Sequence, residues 1–375
     1  MFPMPHDASM PLPTIACAAG GTGGHLFPAE ALARELQRRG HRVVIYTERR
    51  GAAYTQALAG LDHVVLPARS LEGGLPGKFA AGLTILRATA AARADMRRRD
   101  VRLLVGFGGY PSFAPALAAK SRALPLLLHE QGARLSMANR KLLRFADGVA
   151  TSFPATAGLD GFDATRVVDT GNPVRRAILD ARGDYPLLDA DAPLRLLVVG
   201  GSQSARVFGE VVPPALLQLP ETLRHRLQVS LQMKGEGAAG VETALQAGGI
   251  HATVRPFFDD MGARLRDAHL VITRAGATTA ADLLTVGRPA ILVPIPQGGS
   301  RDEQRRNAET LAAAGVGWCL PESELTVESL AALLAQALAS PSVLPDAARA
   351  AATLGRPQAA SALADLVQAT LDRHA

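Results

Sequence analysis

Four glycines, a threonine and a histidine occupy residues 20–25, between an apolar run and a helical pattern. Glycine allows positive φ and lets another group approach the main chain closely. Free N–H groups and the dipole at a helix N-terminus favour an anion or a polar hydroxyl. The neutral imidazole of His25 can accept a proton near neutral pH. These residues predict a ligand site in which His25 is a base or only orients a hydroxyl. A tight turn without a ligand is the alternative.

Two more groups of polar residues follow predicted strands in the first half of the chain. Tyr110 comes after a second glycine turn, and His129 and Glu130 end an apolar run over residues 124–130. In open α/β sheets, ligands bind at the carboxyl ends of parallel strands. The sequence therefore predicts a site at these strand ends. A His–Glu contact that only holds the loop is the alternative.

A turn of small residues in the second half opens another predicted helix. Ala277 and Thr278 suit a diphosphate, because small residues and hydroxyls at a helix N-terminus leave its N–H groups accessible. Asp282 follows about one turn later, within reach of a sugar hydroxyl. Helix capping without a ligand is the alternative. Carboxylates do not cluster here with the spacing of metal ligands, so the sequence predicts no metal site.

Alternating strands and helices must position these residues. Residues 14–19 read as a buried strand, and Pro28 suits the first turn of the helix that follows. Residues 195–205 repeat the same design of strand, glycine turn and helix. The repeat predicts two similar α/β domains in tandem, each with its own topological switch point. We place the domains at residues 14–173 and 174–355, with a closing helix at 356–375 that returns to the first domain.

Length and composition agree with this organisation. A chain of 375 residues exceeds one core, and 48% hydrophobic residues are enough to bury two. No stretch reaches the roughly 18 apolar residues that a spanning helix needs, and residues 1–13 lack the apolar core of a signal peptide. We expect a disordered lead-in over residues 1–13 and a cytoplasmic protein. Two cysteines do not make a disulfide framework or a zinc site.

Positive charge is concentrated between residues 78 and 144, where 13 Lys and Arg face three acids. That local charge of +10 exceeds the +6 of the whole chain and predicts an anionic partner surface. Phe79, Leu83 and Leu86 share one helical face, with Lys78 and Arg87 beside it. Such a helix can lie on an anionic phospholipid surface, and a core-packing helix with a charged back is the alternative. Aromatic residues suited to base stacking are missing from the basic stretch, so we expect no nucleic-acid partner.

With these residues placed, the chain resembles the family 28 glycosyltransferases of peptidoglycan synthesis. The resemblance extends from residue 14 to the C-terminus, and the order and spacing of its motifs make it specific. The motifs that carry it are residues 20–25 with Pro28, 108–110, 129–131, 171–175, 200–203, 257–261 and 276–277.

The resemblance implies the GT-B fold class, with two Rossmann-like parallel-sheet domains that face each other across a cleft. The implied reaction is inverting transfer of N-acetylglucosamine from UDP to undecaprenyl-pyrophosphoryl-N-acetylmuramoyl-pentapeptide, with no metal cofactor required. The implied partners are these two substrates, an anionic phospholipid surface and proteins of cell-wall synthesis. The implied location is peripheral, on the cytoplasmic face of the bacterial inner membrane.

The resemblance also assigns residues to roles. His25 is the catalytic candidate. The acceptor or reaction side is implied for Thr22, Gly23, Gly24, Tyr110, Glu130 and Arg175. The UDP-N-acetylglucosamine site is implied for Thr22, Gly24, Arg175, Ser202, the backbone of Phe258, Ala277, Thr278, Asp282 and Gln304. The membrane patch is implied for Lys78, Phe79, Leu83, Leu86 and Arg87.

Three positions depart from the family pattern. The family usually has Glu at Asp282, Asn at Gly132 and Gly at Ser204. A shorter Asp requires a closer helix or a bridging water to reach a ribose. The departures at Gly132 and Asp282 keep one other function open, a catalytically silent UDP-sugar-binding adaptor at the membrane. A UDP-sugar transferase or epimerase with another substrate is a second alternative, which keeps the fold and changes the chemistry.

Overall fold

The computed structural model describes residues 12–69, 75–153, 155–188, 192–200, 206–235, 237–296 and 301–374. The chain divides into two compact units, Met1–Pro173 with Gln358–Ala375, and Val174–Pro357. The domain boundary predicted from the sequence, between residues 173 and 174, is the same. The predicted closing segment begins at residue 356, two residues before Gln358. The predicted lead-in over residues 1–13 lies outside the described residues, except for its last two.

The first unit is built on seven strands. They are β1 (Thr14–Ala18), β2 (Arg42–Thr47), β3 (Asp62–Val65), β4 (Val101–Gly106), β5 (Leu126–Glu130), β6 (Gly148–Thr151) and β7 (Val167–Asp169). Its first helices are α1 (Gly23–Arg38), α2 (Arg49–Ala52), α3 (Thr55–Leu58), α4 (Leu75–Arg98), α5 (Phe113–Lys120) and α6 (Met137–Leu142). Short 3₁₀ turns lie at Tyr110–Ser112, Leu143–Phe145 and Ala164–Arg166.

The strands of this unit form one parallel sheet in the order β3-β2-β1-β4-β5-β6-β7. Side chains of β1 alternate between two cores: Ile15 and Cys17 join the one that contains α1, and Ala16 and Ala18 join the one that contains α4 and α5. Helices therefore cover both faces, which explains why the strands are apolar runs rather than alternating patterns. The strand order reverses between β1 and β4, which makes their carboxyl ends the topological switch point.

The second unit repeats this architecture with six strands. They are β8 (Leu194–Val199), β9 (Leu227–Gln232), β10 (His251–Arg255), β11 (Leu270–Thr273), β12 (Ala290–Leu292) and β13 (Gly317–Cys319). Its helices are α7 (Arg176–Leu179), α8 (Arg206–Leu217), α9 (Glu221–Arg224), α10 (Ala238–Ala247), α11 (Met261–Asp267), α12 (Ala277–Val286), α13 (Arg301–Ala313), α14 (Val327–Ala339) and α15 (Val343–Leu354), with a 3₁₀ turn at Glu322–Glu324.

All strand pairs of the second sheet are parallel, and the order is β10-β9-β8-β11-β12-β13. Its switch point therefore lies between β8 and β11. The last helix, α16 (Ala359–Asp372), packs against α1, and Arg39 donates to Asp365 at 2.6 Å. The two Rossmann-like parallel-sheet domains of the GT-B fold class, expected from the sequence, are thus present.

A buried arginine joins several segments of the second unit. Arg288 is fully buried. Its guanidinium donates to the backbone carbonyls of Asp184, Leu265, Arg266, Val286 and Gly287. Four of these carbonyls, all but that of Asp184, lie at the C-terminal ends of α11 and α12, where a cation also interacts favourably with the helix dipoles. Arg288 therefore satisfies two helix C-termini and the chain segment before β8 with one side chain.

We expect Arg288→Met to lower the free energy of unfolding of the second unit by about 3 kcal/mol, because it leaves buried carbonyls without donors. Urea denaturation followed by fluorescence of Trp318, the single tryptophan, measures this unit. Arg266→Met is the matched control, because the Arg266 side chain is half exposed and we expect a change under about 0.5 kcal/mol. A loss below about 1 kcal/mol in Arg288→Met would contradict this account of the buried cation.

Candidate functional site

His25 lies at the switch point of the first sheet, where the loops after β1 and β4 meet. The backbones of Gly20, Gly108 and Gly109 surround its imidazole. A Cβ on Gly109 would lie 3.0 Å from the Cα of Gly20 and 3.3 Å from Cδ2 of His25, and φ at Gly109 is +76°. A Cβ on Gly20 would lie 3.0 Å from the same ring atom. Glycine at these positions lets two loops close on the ring and fix its place.

Hydrogen bonding assigns the two ring nitrogens of His25. Nδ1 lies 2.8 Å from the carbonyl oxygen of Phe107, which can only accept, so Nδ1 carries the proton. Nε2 then keeps a lone pair in the neutral ring. Burial lowers the pKa of His25 below its ordinary value of 6.5. The half-buried imidazole is therefore neutral near pH 7 and can accept a proton through Nε2.

The helix that carries His25 starts earlier than the sequence predicts. α1 begins at Gly23, so Gly23, Gly24 and His25 form its first turn and Pro28 lies in its second. The expectation that Pro28 stands in the first turn is wrong. Thr22 precedes the helix and is exposed, and its carbonyl accepts from the amides of His25 and Leu26. The first turn thus places an exposed hydroxyl and His25 at the same end of the sheet.

Tyr110 and Glu130 differ sharply in exposure. Tyr110 is 40% exposed in the turn after Gly109. Glu130 is buried, and its carboxylate accepts from the amides of Ser136 at 2.8 Å and Gly132 at 3.2 Å and from the side chain of Asn139 at 2.8 Å. Burial raises the pKa of Glu130, and these donors lower it. Glu130 thus holds its own loop. Its hydrogen-bond partners are Gly132, Ser136 and Asn139 rather than the histidine of the suggested His–Glu contact.

In the second unit, Asp282 and Arg175 come together. Asp282 on α12 is buried, and its Oδ2 lies 4.0 Å from Nη2 of Arg175, just before α7. Burial raises the pKa of Asp282 to about 7, and Arg175 opposes the shift. The other oxygen, Oδ1, accepts no hydrogen bond within the described residues. This pair places Arg175 beside the residue predicted to bind the ribose.

The remaining predicted residues of the second unit also have defined surroundings. Ala277 and Thr278 form the first turn of α12. Phe258 is buried beneath the guanidinium of Arg264, 4.1 Å from its ring centroid. Gln304 on α13 accepts from the amide of Ile295 at 3.2 Å. Ser202 and Ser204 lie outside the described residues.

Two residues that contribute to this geometry are not predicted from the sequence. One is Gln131, whose amide contacts both Phe107 and His25. The other is Arg264, which covers Phe258 and donates to Asp260 at 2.7 Å. The position of Gln131 just after a buried strand is the signal that could have identified it. For Arg264 the spacing of four residues to Asp260 is the signal.

Comparison with known proteins then decides the family. The glycosyltransferase family 28 N-terminal domain matches residues 15–151, and the family's C-terminal domain matches residues 195–365. A protein of Rhodospirillum centenum is 48% identical over 96% of this chain and 94% of its own length. A protein of Granulibacter bethesdensis is 45% identical over 96% and 94%. The chain belongs to glycosyltransferase family 28.

Both relatives bear the name UDP-N-acetylglucosamine–N-acetylmuramyl-(pentapeptide) pyrophosphoryl-undecaprenol N-acetylglucosamine transferase. Among solved structures, that of MurG from Acinetobacter baumannii has 30% identity and a TM-score of 0.76, covering 95% of this chain and 99% of that one. A putative UDP-N-acetylglucosamine 2-epimerase of Listeria monocytogenes shares the fold alone, with 16% identity, a TM-score of 0.68 and coverage of 96% and 97%. The family 28 resemblance drawn from the motifs is confirmed.

The family 28 chain exposes apolar side chains on α4. Phe79 is 77% exposed, Leu86 67% and Leu83 41%, and Arg87 beside them is exposed. The opposite face buries small residues such as Ala88 and Ala92 instead. The alternative of a core-packing face at these three residues is therefore wrong. The side chain of Lys78 lies outside the described residues.

Among the described residues of this family 28 chain, no single helix has both the length and the apolar composition to cross a membrane. One bent pair of segments, Val327–Leu338 with Val343–Asp372, reaches that length and apolar composition when the two are taken together. In the same residues, no group of three or more His, Cys, Asp and Glu side chains is arranged to hold a metal ion.

Proposed function

We propose that this chain transfers N-acetylglucosamine from UDP-N-acetylglucosamine to undecaprenyl-pyrophosphoryl-N-acetylmuramoyl-pentapeptide, which converts lipid I to lipid II in peptidoglycan synthesis. The observation that carries the proposal is 48% identity, over 96% of the chain, to a relative named for this reaction. The likeness to MurG over 95% of the chain supports it. Family 28 domains matching in both units support it as well.

The reaction is a single displacement. The 4-hydroxyl oxygen of the muramoyl sugar forms a bond to the anomeric carbon of N-acetylglucosamine, while the bond from that carbon to the UDP oxygen breaks, so the configuration inverts. The hydroxyl proton passes to Nε2 of His25 and then to water. The neutral ring with Nδ1 bound to Phe107 supports this role, because its free lone pair is on Nε2. The alternative, in which His25 only orients the hydroxyl, is tested below.

Around His25 we assign the acceptor side to Thr22, Gly23, Gly24 and Tyr110. The exposure of Thr22, Gly24 and Tyr110 at one end of the first sheet supports this assignment. We assign Glu130 a different task, that of holding the loop after β5, because its oxygens are buried and bound by that loop.

We assign the nucleotide sugar to the second unit. The ionised carboxylate of Asp282 binds the ribose hydroxyls, and the backbone at Phe258 binds the uracil. Gln304 contacts the sugar, and Arg175 pairs with Asp282 and the donor. The burial of Asp282 with one oxygen that accepts no hydrogen bond within the described part of the chain supports a ligand donor there. We assign Ser202 to the diphosphate from the family motif, and it lies outside the described residues.

Charge on the departing diphosphate needs stabilisation. The N-terminus of α12, at Ala277 and Thr278, presents backbone N–H groups and the positive end of a ten-residue helix. We propose that these groups serve in place of a cation and that no metal cofactor is required. Turnover after treatment with a chelator tests this, and loss of turnover that added Mg²⁺ restores would overturn it.

We propose that α4 holds the protein peripherally at the cytoplasmic face of the bacterial inner membrane, where proteins of cell-wall synthesis are further partners. The exposed apolar group of Phe79, Leu83 and Leu86 supports contact with acyl chains. The charge of +10 over residues 78–144 supports attraction to anionic headgroups.

We expect Leu86→Glu to weaken binding to vesicles that contain anionic lipid by about tenfold, because a buried leucine contributes roughly 1.5 kcal/mol or more. Co-sedimentation with anionic and neutral vesicles measures it. Leu187→Glu is the matched control, since Leu187 is 82% exposed on the other unit and we expect no change. Equal binding to both vesicle types would contradict the electrostatic contribution, and equal loss in both variants would contradict the patch.

Product analysis tests the function against its alternatives. The purified protein is incubated with UDP-N-acetylglucosamine alone and with a short-chain analogue of the lipid-linked muramoyl-pentapeptide. A disaccharide formed only with the analogue supports the proposal. An epimerised nucleotide sugar without acceptor would indicate an epimerase. Nucleotide binding without any product would indicate the silent adaptor or another acceptor.

A further inference from the structure

Gln131 and His129 form a hydrogen-bonded network with His25. Gln131 follows β5 directly, and His129 is the fourth residue of that strand. Both side chains are buried. They are joined to His25 by hydrogen bonds that bridge 106 residues of sequence.

The contact between His129 and the Gly171 carbonyl determines where the protons lie in this network. Nε2 of His129 lies 3.1 Å from the carbonyl oxygen of Gly171, so Nε2 must donate. Burial lowers the pKa of His129 to about 4, which keeps the ring neutral near pH 7. Nδ1 of His129 is therefore an acceptor, and it lies 3.2 Å from Nε2 of Gln131.

The orientation of the Gln131 amide is fixed in turn. Its Nε2 donates to Nδ1 of His129 and, at 2.9 Å, to the carbonyl of Phe107. A flipped amide would point its oxygen at two acceptors, so the flip is excluded by chemistry. Oε1 of Gln131 consequently faces Nδ1 of His25 at 3.3 Å. Nδ1 of His25 thus faces two acceptors, the Phe107 carbonyl oxygen and Oε1 of Gln131, and both favour a proton on that nitrogen.

We propose that Gln131, oriented by His129, is a positioning residue that keeps the proton of His25 on Nδ1 and leaves Nε2 free for the acceptor hydroxyl. The proposal rests on the proposed function, in which His25 is the base. Gln131 does not touch substrate in this account. It acts by setting the tautomer and the basicity of His25, as an outer hydrogen-bond partner does for other histidines.

The surroundings of His25 make this arrangement testable through pH. The groups that face the ring are the carbonyl of Phe107, the amide of Gln131 and the glycine backbones of both loops. Within the network, His129 is the other titratable side chain, and it stays neutral above about pH 5. The neighbouring Glu130 carboxylate is bound by Gly132, Ser136 and Asn139.

The experiment compares Gln131→Met, wild type and Gln131→Glu. Methionine removes the acceptor at Nδ1 and favours the neutral ring, so the pKa of His25 falls. In Gln131→Glu the carboxyl keeps an acceptor oxygen at Nδ1 of His25. Its other oxygen must carry a proton, because it faces the Phe107 carbonyl and Nδ1 of His129, so the pKa of His25 stays near the wild-type value. We expect the acid limb of the kcat profile, measured at saturating UDP-N-acetylglucosamine so that Asp282 is ionised, to lie at lower pH in Gln131→Met than in wild type and Gln131→Glu. We also expect KM for UDP-N-acetylglucosamine to change less than twofold.

The control is Gln37→Glu, which makes the same substitution at an exposed position of α1. It lies twelve residues beyond His25 and therefore about 18 Å away along the helix. Because a charge at that distance in water has little effect on His25, we expect the acid limb of the pH profile to move by less than about 0.2 pH unit. If the role of Gln131 is only structural, the Gln131 variants lose kcat but the acid limbs of their pH profiles stay at the wild-type pH. That result would overturn the proposal.

NMR titration of His25 separates this proposal from the proposed function. The ¹⁵N shifts of the ring report its tautomer and pKa in each variant without turnover. The ranking in the titration with no transfer activity would support the positioning role and overturn the proposed reaction. Transfer activity with an identical His25 titration in all three proteins would overturn the positioning role alone.

Discussion

Replacing His25 with alanine is expected to lower kcat for transfer by at least about 10²-fold, the usual loss when a general base is removed. Nε2 of the neutral ring is the nitrogen left free to accept the hydroxyl proton, because Nδ1 is bound to Phe107. We expect KM for UDP-N-acetylglucosamine to change little, since the nucleotide residues are assigned to the second unit. Initial rates at saturating acceptor analogue measure the loss.

Two further variants separate the base from a group that only orients the hydroxyl. His25→Asn keeps a side-chain donor in reach of the Phe107 carbonyl but has no basic nitrogen. If His25 is the base, the asparagine variant loses activity to the same degree, and the acid limb of its kcat profile at saturating UDP-N-acetylglucosamine disappears. Residual activity within about tenfold of wild type would contradict the base. His63→Ala is the control, because His63 is exposed on β3 of the same sheet and we expect under twofold change.

The affinity for UDP-N-acetylglucosamine is expected to rise with pH by about 50-fold between about pH 5 and pH 7, and to level off above about pH 8. Burial raises the pKa of Asp282 in the free protein to about 7, so the carboxyl is mostly protonated below that pH. The ionised carboxylate is the form that accepts hydrogen bonds from both ribose hydroxyls. Binding below pH 7 must therefore first release a proton, which weakens it by up to about tenfold per pH unit.

Titration calorimetry in two buffers of different ionisation enthalpy measures both the affinity and the released proton. The intact nucleotide sugar is the correct probe, because its diphosphate has no terminal phosphate that titrates in this range. Asp282→Asn should bind with an affinity that no longer depends on pH and should release no proton. A wild-type affinity that is constant from about pH 5 to pH 7, or an equal slope in the asparagine variant, would contradict the ribose role of Asp282.

Local sequence patterns predicted most of the architecture. The glycine turns after apolar runs located the carboxyl ends of β1 and β4, and their repetition near residue 200 predicted the second sheet. The spacing of Phe79, Leu83 and Leu86 predicted a shared helical face. These features succeeded because strand burial, turn formation and helix periodicity depend on residues close together in sequence.

Local sequence patterns do not predict which distant residues come into contact. Arg175 meets Asp282 across 107 positions of sequence, and that proximity opposes the rise in the pKa of the carboxyl that burial causes. The role of Glu130 depends on donors six and nine residues downstream in an irregular loop. The early start of α1 was missed because glycines have poor helix propensity, which packing of the helix overrides here.

Transfer that depends on the acceptor is measured most simply as UDP release from UDP-N-acetylglucosamine. The purified protein is assayed with and without a short-chain analogue of undecaprenyl-pyrophosphoryl-N-acetylmuramoyl-pentapeptide, and the lipid product is analysed. The account predicts UDP release that requires the analogue, in equal amount to a β-linked disaccharide product. UDP binding with no analogue-dependent release, in protein that folds and binds the nucleotide normally, would contradict it.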